Sequence, residues 1–338
     1  MTTGSAFVPT SEQQFALWTN GAVPNPGPLP QDERIRDDLW AVTVSFPNPY
    51  ILYTLSYLIL DAHGVPHIVD PGFDTEENWE HYRSALRTIG RSERDVGSIT
   101  VTHAHPDHLG MADRFSRESG APIILHAMEL ATAASEMETL DRWGSAVLDD
   151  WGVPGSRRSE FAMDVPISGS LTASHADRVI EDEATLDIPG WNLRVIHTPG
   201  HTAGHIVLHE ADRGFLLTGD HVLPNMHPGL GLGVGTDANP LTDYLNSLAR
   251  VRDLGADLEV LPGHGYRFRG LRDRVDDMIE HRDRRSREVL RVLQDDENAS
   301  TWEVASQLTW TAGWENLKAM DLASALSQTS MHHRHVKR

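Results

Sequence analysis

Short apolar runs with period-two alternation gather in two parts of the chain, and segments of helical spacing separate them. Leu39 to Phe46 and Ile51 to Leu60, rich in β-branched and aromatic residues, read as paired strands, with the next turn at Asp61 to Gly64. Glu76 to Ile89 puts Trp79, Tyr82, Leu86 and Ile89 on one helical face. Leu109 to Glu118 predicts another helix and Pro122 to Leu125 another strand. Residues 127–155, rich in Ala, Met, Leu and Glu, predict one or two inserted helices, and residues 156–177 a loop. Strand texture then returns. Val179 to Pro199 predicts two or three strands and Ile206 to Leu217 a hairpin turning near Asp212 to Gly214. Leu241 to Leu254 predicts a helix with Tyr244, Leu245, Leu248 and Val251 on one face. Strands followed by mixed β and α, twice over, suit an α/β (α+β) fold of two sheets packed face to face with helices outside.

From Leu271 onward the pattern is helical, with a stripe of Leu271, Val275, Met278 and Ile279 running into Val289, Leu290, Val292 and Leu293. Ser300-Thr-Trp-Glu303 has the form of a capping box opening a further helix. Trp302, Trp310 and Trp314 are expected to pack this small domain, residues 271–338, and the basic run Met331 to Arg338 reads as a disordered tail. Residues 1–36, with Pro24, Pro26, Pro28 and Pro30, read as an extended arm, leaving residues 37–270 as the main domain.

Four of the apolar runs end in metal-ligating residue types. Ile99 to Thr102 leads into His103-Ala-His105-Pro-Asp107-His108, and Leu193 to Ile196 into His197-Thr-Pro-Gly-His201-Thr-Ala-Gly-His205. Gly214 to Leu217 leads into Thr218-Gly-Asp220-His221, and Leu258 to Leu261 into Pro262-Gly-His264-Gly265. Gly and Pro at these ends permit tight backbone geometry. Neutral imidazole and ionised carboxylate are the usual ligands of zinc and similar divalent ions, at about 2.0–2.2 Å. His103 and His105 alternate along an extended backbone and can face one ion; the turn at Pro106 points Asp107 and His108 to a second position. A lone histidine would read as a solvated loop residue. This crowding, with matching partners downstream, does not.

In this order the four motifs resemble the metallo-β-lactamase-fold hydrolase superfamily, in the branch with glyoxalase II, RNase Z and the lactonases. The resemblance spans about residues 37 to 270 and implies a four-layer αβ/βα sandwich. It implies that His103, His105 and His201 hold one metal and Asp107, His108 and His264 another, with Asp220 bridging. Asp70, in Ile68-Val-Asp70-Pro-Gly72, matches the family's early aspartate and is expected to orient a ligating imidazole. His197 reads as a supporting or structural residue, His205 as packing, and His63 and His67 as surface-hairpin residues without a site role. The helical tail is similar to the winged-helix-like tail of bacterial and mitochondrial relatives, some of them endoribonucleases, but no wing is evident. Insertions in this superfamily line the substrate pocket, which makes Trp143 and Trp151, with Met128 and Met137, candidates for its wall. Asn225 to Thr236 is Gly-rich but lacks the Gly-Lys-Ser/Thr ending of a phosphate loop, so a wall of the site fits it better. Asp107, His227 and Tyr266 are candidate proton donors to the leaving group.

Composition then narrows the reading. There are 29 basic and 49 acidic residues, a net charge of −20, which disfavours a nucleic-acid partner. No cysteine is present, so no thiolate ligand or disulfide exists. No apolar run is long enough to span a bilayer, and Met1 to Pro9 lacks the features of a secretion signal, so the cytoplasm is the expected location. The resemblance implies a dinuclear hydrolase, zinc being the first choice of metal over iron or manganese. A hydroxide shared by the two ions would be the nucleophile on a small acyl thioester, ester or lactone. The alternatives are an endoribonuclease and an iron-dependent oxidoreductase like the persulfide dioxygenases. A metal-stabilised binding protein would be expected to have lost ligands, and none is missing. Homodimerisation stays open.

Overall fold

The structure is a computed structural model that describes residues 29–48, 51–130, 144–161, 176–233, 238–255 and 257–337. Most of the N-terminal arm, together with Trp143, Met137 and the last part of the Gly-rich stretch, lies outside the described residues.

The first sheet has seven strands in chain order: β1 (Glu33–Arg36), β2 (Leu39–Ser45), β3 (Tyr53–Leu60), β4 (Pro66–Val69), β5 (Ser98–Thr100), β6 (Ile123–His126) and β7 (Arg178–Ile180). It is antiparallel from β1 to β4 and parallel from β4 to β7. The second sheet holds β8 (Leu193–His197), β9 (Ile206–Glu210), β10 (Phe215–Gly219) and β11 (Glu259–Pro262), in the order β11-β10-β9-β8. In it β10 runs parallel to β11 and antiparallel to β9.

Alternation along the strands builds the layers. In β2, Leu39 and Ala41 face a core shared with Val195, Leu208, Phe215 and Leu217 of the other sheet. Val42 and Val44 of the same strand face outward onto Trp79, Tyr82 and Phe115. Those aromatics belong to α1 (Glu76–Thr88) and α3 (Ala112–Ser119), the first outer layer. Thr75 caps α1 through its side chain, accepting from the Asn78 N–H. On the far side, Val207, Leu216 and Val260 pack on Leu241, Tyr244 and Leu248 of α5 (Pro240–Arg252). The result is the four-layer αβ/βα sandwich.

Three local expectations change. The helix expected from Leu109 to Glu118 begins only at Ala112 as α3, and a separate short helix, α2 (Pro106–Leu109), precedes it. Gly110, between them, leaves no room for a side chain: a Cβ would lie 2.5 Å from the Pro106 carbonyl oxygen and 2.7 Å from that of Gly72. His67 is not at the surface: it is buried in β4, with Nδ1 2.7 Å from Ser98 Oγ. The C-terminal basic run is not a loose tail, because α8 (Ala319–Val336) runs through it. His332 in that run is buried against Ser286 of α6 (Leu271–Asp295), at 2.9 Å.

The capping box at Ser300 is present and opens α7 (Thr301–Gln307). The helices of this C-terminal region pack on the rest of the chain: Leu271, Val275, Met278 and Met331 share one apolar cluster with Leu241 and Tyr244. A second cluster joins Leu322 and Leu326 to Leu148 of α4 (Ser145–Asp150) and to Trp151 and Phe161.

Candidate metal centre

Strands β4, β5, β8, β10 and β11 all end at one rim of the sandwich, and each delivers a polar residue there. β4 is followed by Asp70, β5 by His103 and His105, and β10 by Asp220. His201 lies in the loop after β8, and His264 follows β11. α2 carries Asp107 and His108 in its single turn. The two sheets are laced together at this rim: Leu55 N–H donates to the Gly263 carbonyl at 2.7 Å, and Ile206 N–H to the Thr102 carbonyl at 3.0 Å. Apart from the partly exposed His105, every one of these ligand candidates is buried.

Two donor sets result. His103, His105, His201 and Asp220 converge on one point, and Asp107, His108 and His264 on another. In the first, His201 Nε2 lies 3.2 Å from His105 Nδ1 and 3.4 Å from Asp220 Oδ2. In the second, His264 Nε2 lies 3.3 Å from His108 Nε2 and 3.3 Å from Asp107 Oδ2. Asp220 reaches both: its Oδ1 lies 3.2 Å from His264 Nε2 and 3.4 Å from His108 Nε2.

These distances fit metal ions. Four donors around a tetrahedral ion at about 2.0–2.1 Å sit about 3.3 Å from one another. The opposite ring nitrogens are already committed as donors. His201 Nδ1–H points to the Gly229 carbonyl at 2.7 Å, His264 Nδ1–H to the Tyr53 carbonyl at 2.8 Å, and His108 Nδ1–H to Asp70 Oδ2 at 2.9 Å. In their neutral, ligating form His108 and His264 would present bare Nε2 lone pairs to each other across 3.3 Å, and His201 Nε2 faces His105 Nδ1 at 3.2 Å, arrangements that a shared cation relieves. Burial and neighbouring imidazoles hold His103 well below the usual histidine range and His105 at about 3, so both are neutral and ready to ligate. The second set lies in a negative field. Burial opposes the charge on His264, but Asp220 and Asp107 push it up to about 10, and His108 is likewise carried well above its usual value. The pull that favours a proton there also favours a metal cation.

Comparison with known proteins agrees with this geometry. The profile of the Metallo-beta-lactamase superfamily matches residues 50–264. The chain belongs to that superfamily. It is 27% identical to "Beta-lactamase-like protein 2 homolog" of Caenorhabditis elegans over 83% of this chain and 80% of the relative. It is 25% identical to hydroxyacylglutathione hydrolase GloC of Haemophilus influenzae over 62% of this chain and 84% of that protein. A metallo-beta-lactamase family protein from Thermus thermophilus superposes with a TM-score of 0.70 at 27% identity, covering 90% of this chain and 94% of that one.

Around this metallo-beta-lactamase centre the supporting residues divide. Asp70 is buried, and both of its carboxylate oxygens are engaged. One oxygen accepts the Thr102 N–H at 2.7 Å, and the other faces His108 Nδ1 and the Thr102 hydroxyl at 2.9 and 2.8 Å. The hydroxyl, having donated to Asp70, accepts from His103 Nδ1 at 3.1 Å, so one carboxylate orients ligands of both sets. His205 does more than pack: its Nε2 accepts the backbone N–H of Asp220 at 3.1 Å. His197 has a structural place, with Nε2 donating to the Ala203 carbonyl at 2.9 Å and its ring stacked on His126 at 4.2 Å.

The expected pocket residues fare differently. Trp151 is buried among Leu148, Val153, Phe161, Leu317 and Leu322, where it packs the C-terminal helices against the insertion. His227 lies flat on His281 of α6 at 3.8 Å, and burial with nearby cationic groups pulls it to about 3, which keeps it neutral at neutral pH. Tyr266 lines a cavity of about 300 Å³ with Pro30, Leu55 and Phe268, beside Gly265.

One residue escapes the sequence reading. Glu129, in the helical residues 127–130 just after β6, is fully buried against the two loops that carry His103, His105 and His201.

Proposed function

We propose that the chain is a dinuclear hydrolase, with zinc the preferred metal, that cleaves a small acyl thioester, ester or lactone. The observation that carries this reading is the division of Asp220, one carboxylate oxygen facing each histidine set. A metal pair held there would supply a hydroxide nucleophile at neutral pH and polarise the scissile carbonyl. The protein's own part is to place the charges. Neighbouring imidazoles hold Asp220 well below the usual carboxylate range and Asp107 at about 2 against the opposing effect of burial, so both stay ionised as ligands.

The choice of an acyl substrate over RNA is supported by charge. The described arginines expected nearest the site are committed within the protein. Arg157 pairs with Glu160, Arg158 with Asp149, and Arg267 with Glu33 and Glu259, while Arg269 donates to the Asp257 carbonyl at 2.6 Å. A polyanionic strand draws most of its affinity from free cations, and the net charge of −20 opposes it further. The similarity to a hydroxyacylglutathione hydrolase supports the same choice. A panel of acyl thioesters, esters, lactones and single-stranded RNA, assayed with zinc present and with chelator, tests it. Chelator-sensitive turnover of an acyl compound is expected; robust cleavage of RNA alone would replace this reading with the nuclease.

A further inference from the structure

Glu129 occupies a costly position. Its side chain is fully buried, and no ion pair to it occurs among the described residues. Burying a carboxylate is unfavourable unless strong hydrogen bonds repay the lost hydration. Two do so here: Oε2 accepts the backbone N–H of Ala104 and Oε1 that of Gly204, each at 2.7 Å. Bonds of this length to a charged acceptor are the strong kind.

The identity of those two peptides gives the carboxylate its meaning. Ala104 lies between His103 and His105, so a shift of its peptide moves both imidazoles. Gly204 lies in the loop that carries His201 and leads into His205, the residue that receives the Asp220 N–H. A side chain at Gly204 would not fit: its Cβ would stand 2.8 Å from the Glu129 nitrogen and 2.9 Å from Oε1. The loop is thus pressed directly onto the carboxylate.

We infer that Glu129 is a positioning residue for the metal site formed by His103, His105 and His201, clamping the two loops that carry these ligands at the spacing one ion requires. The inference rests on the metal-centre reading above. Glutamine has nearly the same shape but only one acceptor oxygen, so in Glu129→Gln one amide N–H faces another donor and one loop is released. Aspartate keeps the charge but is a methylene shorter and cannot span both peptides.

The experiment compares the wild-type protein, Glu129→Gln and Glu129→Asp in zinc titrations against a chromophoric chelator, with cobalt(II) absorption spectra and Tm measured on the same samples. The wild type should bind two equivalents. The variants should hold one equivalent near wild-type affinity, at Asp107, His108 and His264, and bind the other about 10–100-fold more weakly, with an altered spectrum for that site. If Glu129→Gln does not fold, Glu129→Asp carries the same expectation. Two equivalents of unchanged affinity and unchanged spectra, with only Tm lowered, would make Glu129 a folding residue and overturn the inference. A wild type that fails to bind two ions would instead defeat the metal-centre reading itself.

Discussion

His201 and Gly229 are bound to each other, imidazole Nδ1–H to carbonyl, at 2.7 Å, and the peptide just before Gly229 is held from the C-terminal region. Arg282 of α6 donates to the Pro228 carbonyl at 2.6 Å, and Arg274 of the same helix donates to the Leu223 and Met226 carbonyls at 2.7 and 2.6 Å. Helix α6 thereby braces the loop that fixes the tautomer of His201, a candidate metal ligand. Arg282 is buried, with no ion pair to a carboxylate among the described residues.

Replacing Arg282 by methionine should therefore separate activity from stability. The side chain keeps much of its volume and the cost of a buried cation disappears, so Tm should stay within a few degrees of wild type. Loss of the brace should lower kcat/KM by about tenfold, in the range seen when support to a ligating histidine is removed. Full activity in Arg282→Met would show that the loop holds its place without α6.

Asp220 and Asp70 should fail differently. Asp220→Ala removes an oxygen from each donor set, so activity should fall to background while the fold survives. Asp70→Ala leaves the Thr102 N–H and His108 Nδ1–H without their acceptor, which should cost about 1–3 kcal/mol of stability for each buried donor. It should also cost about 10–100-fold in metal affinity. Thermal melts paired with rate measurements check both; equal and mild effects would mean that Asp220 does not join the two sets.

Stability should fall in mild acid, in part through the C-terminal helices. Burial, with Arg282 and Arg285 alongside, pulls His332 down to about 3 from its ordinary 6.5. Between those values the unfolded chain binds the proton that the folded one refuses, so stability rises with pH across this window. The contribution is complete above about 6.5 and lost as pH falls, at up to about 1.4 kcal/mol per pH unit for one group. Tm should drop more steeply from pH 7.5 to 5 in the wild type than in His332→Gln, both measured with saturating zinc. Parallel slopes would contradict it.

Several candidate ligands are legible in the sequence because they follow the end of a β-patterned run, where the motif and the strand end nearly coincide; His103, Asp220 and His264 show this directly. Residues that act through the backbone are not. Glu129 bonds to peptide N–H groups of distant loops, and in the sequence it is one glutamate in an Ala- and Met-rich helix. Large aromatics such as Trp151 suit a pocket wall and a helix interface alike, and its packing beside Leu322 of α8 is not legible from its own segment. The terminal run looks like a tail because its charges hide the burial of His332, which depends on α6 lying beside it. For Asp70 the sequence names no particular imidazole as its partner, and the structure sets it 2.9 Å from that of His108.

The most direct test of the whole account is metal content per chain, measured on protein purified without chelator and repeated on His264→Ala. Two ions per chain are expected in the wild type and one in His264→Ala, since that variant strips a ligand from the set of Asp107 and His108 while leaving His103, His105 and His201 intact. Chelation should also lower Tm, and restored zinc should raise it in a concentration-dependent way. A single ion in both proteins, with no change caused by His264→Ala, would contradict the dinuclear centre.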